Sequence, residues 1–367
     1  MRLTILGVGL IGGSIGLAAR RRAGAEVCGY DPDPTVRARA LELGALDTQA
    51  DDLAAAVAGA EVVFVAAPVG ALAETVRLAL AAAGPDCVVS DVGSTKRVVA
   101  DAGADERFVG GHPLAGAETA GVEHAREDLF DGATWYLTPA GGSTAGVLYE
   151  RLHRLVSSLG AQPTAIDAGT HDRLMAGISH LPHVLANLLA AHAASTLRGE
   201  RSRIGRPGRL PAIGPSFRDA TRVAGANSAI WTDIYMSNRD ALVAGIDELA
   251  ERLQAVRASL AAGDADGVRS WNEDARADRD ALLGAGLVGG AGGEAVLELR
   301  AAVPNRPGVI ADIALALGRA GVNILDMALA PSEDNRQGVV ALWIAGEERA
   351  ERAQRLIADL GFPVARA

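Results

Sequence analysis

Apolar residues follow three different rhythms along this chain, and the changes of rhythm divide it. From residue 1 to about 165, short unbroken apolar runs alternate with stretches where apolar residues recur every three or four positions. Residues 3–6, Glu26–Tyr30, Val62–Val65 and residues 87–90 have the length and composition of strands buried on both faces. Residues 72–80 and 147–159 have the helical period. This alternation predicts βαβ units in a doubly wound parallel sheet. Strand signals stop at about residue 166. Thr170 caps a helix beginning at His171, Pro182 breaks or kinks it, and the helical run resumes to about Leu197. Residues 199–216, rich in Gly, Pro and Arg, read as a long loop, and helical patterns return over 217–224 and 229–260. Residues 284–293 hold six glycines and predict a flexible linker spanning roughly 17 Å. Beyond it, residues 295–302, 322–329 and 338–344 alternate as strands. Ile310, Ile313, Ala314 and Leu317 mark one helix, and Ala353, Leu356, Ile357 and Leu360 a second. That order is a ferredoxin-like βαββαβ unit. The expected organisation is an α/β domain over 1–165, an all-helical domain over 166–283, a linker over 284–293 and a βαββαβ domain over 294–367.

Composition narrows the class. The chain has 367 residues, 49% hydrophobic and 22% charged, enough to bury cores in two or three domains. A net charge of −10 argues against nucleic acid and anionic membrane surfaces as partners. Cys28 and Cys87, the only two cysteines, sit in apolar runs and read as core residues of a reducing compartment. Residues 3–19 carry no charge, but their five glycines mark a first strand and helix rather than a leader or a span. No other stretch is expected to cross a bilayer, and a cytoplasmic protein is inferred. The chain has one lysine, Lys96, against 34 arginines. Either chance left it, or the position needs a compact ammonium rather than a planar fork.

Candidate chemistry begins at the amino terminus. Gly7, Gly9 and Gly12 fit G-x-G-x-x-G between the first strand and a helix opening at Leu10 and Ile11. The glycines allow a tight turn, close approach of backbone to a pyrophosphate, and helix-on-strand packing. Asp31 ends the second strand 19 residues after Gly12, where a carboxylate accepts ribose hydroxyls and repels a 2′-phosphate. The pattern predicts a Rossmann site for NAD rather than NADP. Ala67, Pro68 and Ser94 follow later strands at the same carboxyl edge. His112, in Gly110-Gly111-His112-Pro113, is expected on an exposed tight loop, as a base for an alcohol proton. Ser94 faces it in this reading and fixes its tautomer by a hydrogen bond. In Ser179-His180-Leu181-Pro182-His183 the two histidines are i, i+3, so they share a helix face. They line a polar pocket or, with His171, hold zinc; the scarcity of ligands favours the pocket and no metal. Arg218 and Arg222, at i, i+4, either grip a carboxylate or form a solvated face. Arg198, Arg201, Arg203, Arg206 and Arg209 read as a solvated loop.

Together, residues 7–14, 91–96, 111–116, 179–183 and 217–222 make the chain resemble the prephenate dehydrogenase family over essentially its whole length, with a carboxyl-terminal ACT domain. The resemblance implies NAD-dependent oxidative decarboxylation of prephenate to 4-hydroxyphenylpyruvate, in tyrosine biosynthesis. His112 would take the proton from the ring hydroxyl, and Ser94 would orient it. Arg222 would grip the ring carboxylate, assisted by Arg218. Ser179, His180 and His183 would line the pocket, with Asp172 and Trp231 bracing it. Pro215 departs from the glycine run of many relatives and removes a main-chain donor there. The ACT resemblance implies pairing into a homodimer and a tyrosine effector near Asn305 and Asn323. Arogenate dehydrogenase is the close rival, with Glu118 or Asp172 as candidates to meet an ammonium. The distant rivals are a non-catalytic NAD or amino-acid sensor, which needs none of His112, Ser94 and Arg222, and a generic β-hydroxyacid dehydrogenase, which explains neither residues 179–183 nor the ACT unit.

Overall fold

The computed structural model describes residues 1–116, 119–139, 146–200, 213–288, 296–331 and 337–366, in two compact units, Met1–Arg252 and Leu253–Ala367. The first unit opens with β1 (Arg2–Leu6), α1 (Leu10–Ala23), β2 (Glu26–Tyr30), α2 (Pro34–Glu42), β3 (Thr48–Gln49), α3 (Leu53–Val57), β4 (Val62–Val65), α4 (Val69–Ala82) and β5 (Val88–Asp91). These strands form one sheet in the order β3-β2-β1-β4-β5, parallel throughout. Period two divides the strand side chains between two cores. Leu3, Ile5, Val62, Phe64 and Val88 pack with α1 residues on one face, and Leu6, Val63, Val65 and Val89 with α4 residues on the other. Burial on both faces is why these strands read as unbroken apolar runs.

Past the sheet come β6 (Val109–Pro113), β7 (Thr134–Pro139), α5 (Val147–Ser158) and β8 (Gln162–Ala165). They make a second sheet, β6-β7-β8, antiparallel then parallel. His112 therefore lies on a strand opposite Tyr136, not on the exposed loop that its glycines predict. The glycines are there for close approach. A Cβ on Gly111 would stand 2.6 Å from the Asp91 carbonyl oxygen and 2.9 Å from the Trp135 indole nitrogen.

The helical part runs through α6 (Ala168–Met175), a π-turn (Ala176–His180), α7 (Leu181–Glu200), α8 (Pro215–Thr221), α9 (Ser228–Ser237) and α10 (Arg239–Ala262). Pro182 neither ends nor breaks the run. It lacks the N–H that an α-helix would direct at Ile178, and the chain widens there, with Leu181 N bonding Ala176 O. The expected helix over 229–260 is divided at Asn238, which closes α9. Contrary to expectation, Ala168–Arg198 is long and apolar enough to cross a membrane, though only 28% of its most apolar window is buried within the chain.

In the second unit α11 (Ala265–Val288) runs into the predicted linker, whose glycines from residue 289 on lie outside the described residues. Then follow β9 (Val296–Pro304), α12 (Val309–Arg319), β10 (Asp326–Pro331), β11 (Gln337–Ala345), α13 (Glu347–Asp359) and β12 (Val364–Arg366). The antiparallel order β10-β11-β9-β12 is that of a ferredoxin-like sheet. Leu299, Val303, Ile313, Leu317, Leu342 and Ile357 are among its core residues. Asn305 and Asn323 are exposed, one before and one after α12, a helix about 16 Å long.

Candidate active site

The glycine turn after β1 has the shape a dinucleotide requires. Gly7 adopts φ +95°, in the left-handed region. A Cβ on Gly12 would collide with the Gly7 carbonyl. A Cβ on Gly9 would meet nothing within 4 Å, so this face of the turn is open for a phosphate. Gly9 gives α1 no side-chain cap, which leaves the first-turn N–H groups at Leu10 and Ile11 for a ligand. Asp31 is oriented from both sides. Its Oδ2 accepts from Val8 N and its Oδ1 from Asp33 N, each at 3.0 Å. Ala67 and Pro68 follow β4, and Pro68 caps α4. The residues present fit a pyrophosphate and an adenosine ribose.

A cavity of about 760 Å³ lies where β6, the π-turn and the segment after α8 converge. His112, Ser179, His183, Arg222 and Trp231 all line it, so five residues dispersed over 120 positions meet in one space. Met175, Ile178 and Val223 supply apolar walls. The Trp231 ring stacks on His183 at 3.6 Å and 7°, and Tyr235 hydroxyl and Asn187 amide meet His183 Nδ1. The segment following β6 also packs on the glycine-rich helix. Ser14 Oγ accepts from Arg126 N at 3.0 Å, and Gly13 abuts Val122 and Ala125.

Behind His112 lies a buried polar network. His112 Nδ1 is 2.9 Å from His171 Nε2, and His171 Nδ1 is 2.8 Å from Asp172 Oδ1. Asp172 also accepts from the main-chain N–H groups of Lys96 (2.7 Å) and Arg97 (2.9 Å). Lys96 Nζ is fully buried, donating to Asp91 and to the Gly111 carbonyl. Asp91 in turn accepts from Gly93 N and Gly111 N. His180, also buried, meets Asn238 Nδ2 at 3.2 Å, and Asn238 donates to the Asp172 carbonyl. Burial holds His112 well below its ordinary value of 6.5, and the nearby Lys96 ammonium acts in the same direction. Burial likewise lowers His180 to about 4. Both imidazoles are neutral near pH 7.

Several expectations change here. His112 Nδ1 bonds His171, a residue its sequence position did not single out as a partner, and not Ser94. Ser94 is half-buried on the loop after β5. His180 stands behind the cavity wall rather than in it, and Arg218 is exposed and does not line it. Arg222 and Arg218 do not share one α-helix, because α8 ends at Thr221 and Arg222 opens a 3-10 turn. Pro215 is the first residue of α8, where a missing N–H costs nothing. Glu118 and residues 201–212, with four of the five loop arginines, lie outside the described residues. Arg198 is exposed near the end of α7.

Comparison with known proteins bears on the family and the fold. Residues 15–164 match the family described as prephenate dehydrogenase, nucleotide-binding domain; residues 167–273 match its dimerization domain, and 298–361 match the ACT domain. A prephenate dehydrogenase of Bacillus subtilis is 32% identical, over 97% of this chain and 96% of its own. The prephenate dehydrogenase of A. aeolicus, solved with hydroxyphenyl propionate and NAD+, superposes with a TM-score of 0.68 at 25% identity, covering 77% of this chain and 98% of that one. Synechocystis arogenate dehydrogenase superposes with a TM-score of 0.66 at 26% identity, covering 77% and 100%. The chain belongs to the prephenate dehydrogenase family.

Proposed function

We propose that this protein oxidises prephenate with NAD and releases CO₂, forming 4-hydroxyphenylpyruvate. The observation that carries the reading is the meeting of His112 and Arg222 on one cavity, reached from a strand and a turn 110 residues apart. Gly7, Gly9, Leu10, Ile11, Gly12, Asp31, Ala67, Pro68 and Ser94 would hold NAD, which when bound supplies a hydride acceptor at the substrate's C4. His112 takes the ring hydroxyl proton as the hydride leaves. The C1 carboxylate then departs as CO₂, its bonding pair enters the ring, and His112 returns the proton to the phenolic oxygen. Aromatisation drives the step, so the protein's task is orientation. Arg222 grips the carboxylate from the cavity rim, while Ser179 and His183 line the space for the side chain and ring.

The described cavity lining holds no carboxylate to meet an ammonium, and Glu118 lies outside the described residues. Asp172, one candidate for that role, is spent on His171, Lys96 and Arg97. The dimerization-domain match and the exposed Leu188, Leu189, Met236 and Val243 support a homodimer. In such a pair, Asn305 of one copy and Asn323 of another would form a tyrosine site that lowers activity. Side-by-side kinetics on the two substrates with NAD, with and without tyrosine, test all of this. Turnover of prephenate in preference to arogenate, reduced by tyrosine, is expected. A preference for arogenate overturns the substrate reading, and indifference to tyrosine overturns the effector reading.

A further inference from the structure

We propose that His171 is a positioning residue that holds His112 in the tautomer able to act as base, with Nδ1 protonated and Nε2 bare. This rests on the reading of His112 as the base. The hydrogen bonds fix the protons one after another, starting from Asp172. Burial pushes that carboxyl upward, but the bonds from His171, Arg97 N and Lys96 N outweigh it and hold it below the ordinary carboxylate range. Arg97 Nε adds a further donor at 3.2 Å. Asp172 is therefore an acceptor only. Its Oδ1 lies 2.8 Å from His171 Nδ1, so that nitrogen carries a hydrogen. In the neutral imidazole proposed here that is the one N–H, and His171 Nε2 carries a lone pair. His112 Nδ1, 2.9 Å away, must donate to it. By the same count His112 Nε2 is left bare.

Packing keeps the chain of bonds from rotating. His171 is 0% exposed. Its ring meets the His112 ring edge-on at 5.1 Å and 73°, and the Tyr136 ring edge-on at 5.6 Å and 82°. The first turn of α6 sets its place, through Asp167 Oδ1 accepting from Thr170 N at 2.8 Å. When His112 accepts the substrate proton at Nε2, its Nδ1–H stays on His171, whose other N–H faces a carboxylate. The new positive charge then has a negative partner at one remove. Of the other groups acting on His112, the Lys96 ammonium opposes that charge, while His180 is neutral near pH 7. The Asp172 end of the relay is what offsets the ammonium. Doubly protonated His171 would instead put the hydrogen on His112 Nε2, and a direct look at the proton separates the two arrangements.

The test is histidine ¹⁵N NMR on the full-length protein, with His112→Asn identifying the His112 signals, together with kinetics of two His171 variants. The unmodified protein should show His112 as the Nδ1–H tautomer at neutral pH. His171→Leu should lower kcat by about 10–100-fold, less than loss of the base itself, because both tautomers remain accessible. KM should change little, since the lost interaction acts on the reacting proton. His171→Gln, whose side-chain oxygen can accept from His112 Nδ1, should recover part of the loss, which a packing role alone would not give. An Nε2–H tautomer in the unmodified protein, or full kcat in His171→Leu, overturns the proposal. The NMR result decides it even where His171→Leu does not fold. Full activity in His112→Asn would instead remove the base itself, and the proposal with it.

Discussion

Lys96 illustrates how one residue can carry more than its position in the chain reveals. Its ammonium is buried against the Asp91 carboxylate and the Gly111 carbonyl, and burial lowers it from its ordinary value despite that pairing. A compact ammonium on a flexible stem fits where a guanidinium fork would need room for five donors. The loss of Asp91's partner should be costly, because the charge left behind cannot be hydrated. Lys96→Met should destabilise the fold by about 3–5 kcal/mol, read as a lowered urea midpoint, with part recovered by adding Asp91→Asn. An unchanged midpoint would mean that the pair carries no structural weight. The lone lysine was visible in the sequence, but its partner was not. The same holds for His171, whose partner His112 is 59 positions away. A His-Asp pair in the first turns of a predicted helix was the available signal, but His171 enters the sequence reading only as a third ligand for a zinc site that the scarcity of ligands disfavours.

At the scale of elements, legibility tracked burial. The edges of β4 were readable because a strand covered on both faces is apolar end to end. The β6 strand was not, since Gly110 and Gly111 look like turn residues and are in fact demanded by the closeness of Thr138 to the first and of Asp91 and Trp135 to the second. Gly111→Ala should push β6 outward and lower kcat more than it raises KM, at a stability cost of about 1–3 kcal/mol. Wild-type kinetics in that variant would show that His112 tolerates a displaced strand. The end of α8 was equally hidden. Thr221, the last residue of α8, leaves helical geometry (φ −113°, ψ 7°), and Arg222 opens the 3-10 turn that follows. Nor does composition announce the π-turn, which needs the clash of Pro182 with its own preceding turn.

Across the whole molecule, the order of folds was plain from the rhythm of apolar residues, and the site was plain in its parts but not in its wiring. The Met1–Arg252 unit contains the glycine turn, the cavity and the relay together. His112 and Arg222 were named from sequence by their neighbours, and both face the cavity; Ser94, His180 and Arg218 were named in the same way and stand outside its lining. Sequence neighbours identify a segment, while the direction of a side chain depends on strand pleat and helix phase fixed by distant packing.

The central claim is that one imidazole does the proton chemistry while one guanidinium holds the substrate. Initial rates of nicotinamide reduction with varied prephenate, compared between His112→Asn and Arg222→Ala, test it directly. The account predicts a fall in kcat of about 10²–10⁴-fold with nearly unchanged KM for the first, and a raised KM as the main effect for the second. Equal losses of kcat and KM in both variants, or activity retained in His112→Asn, would contradict it.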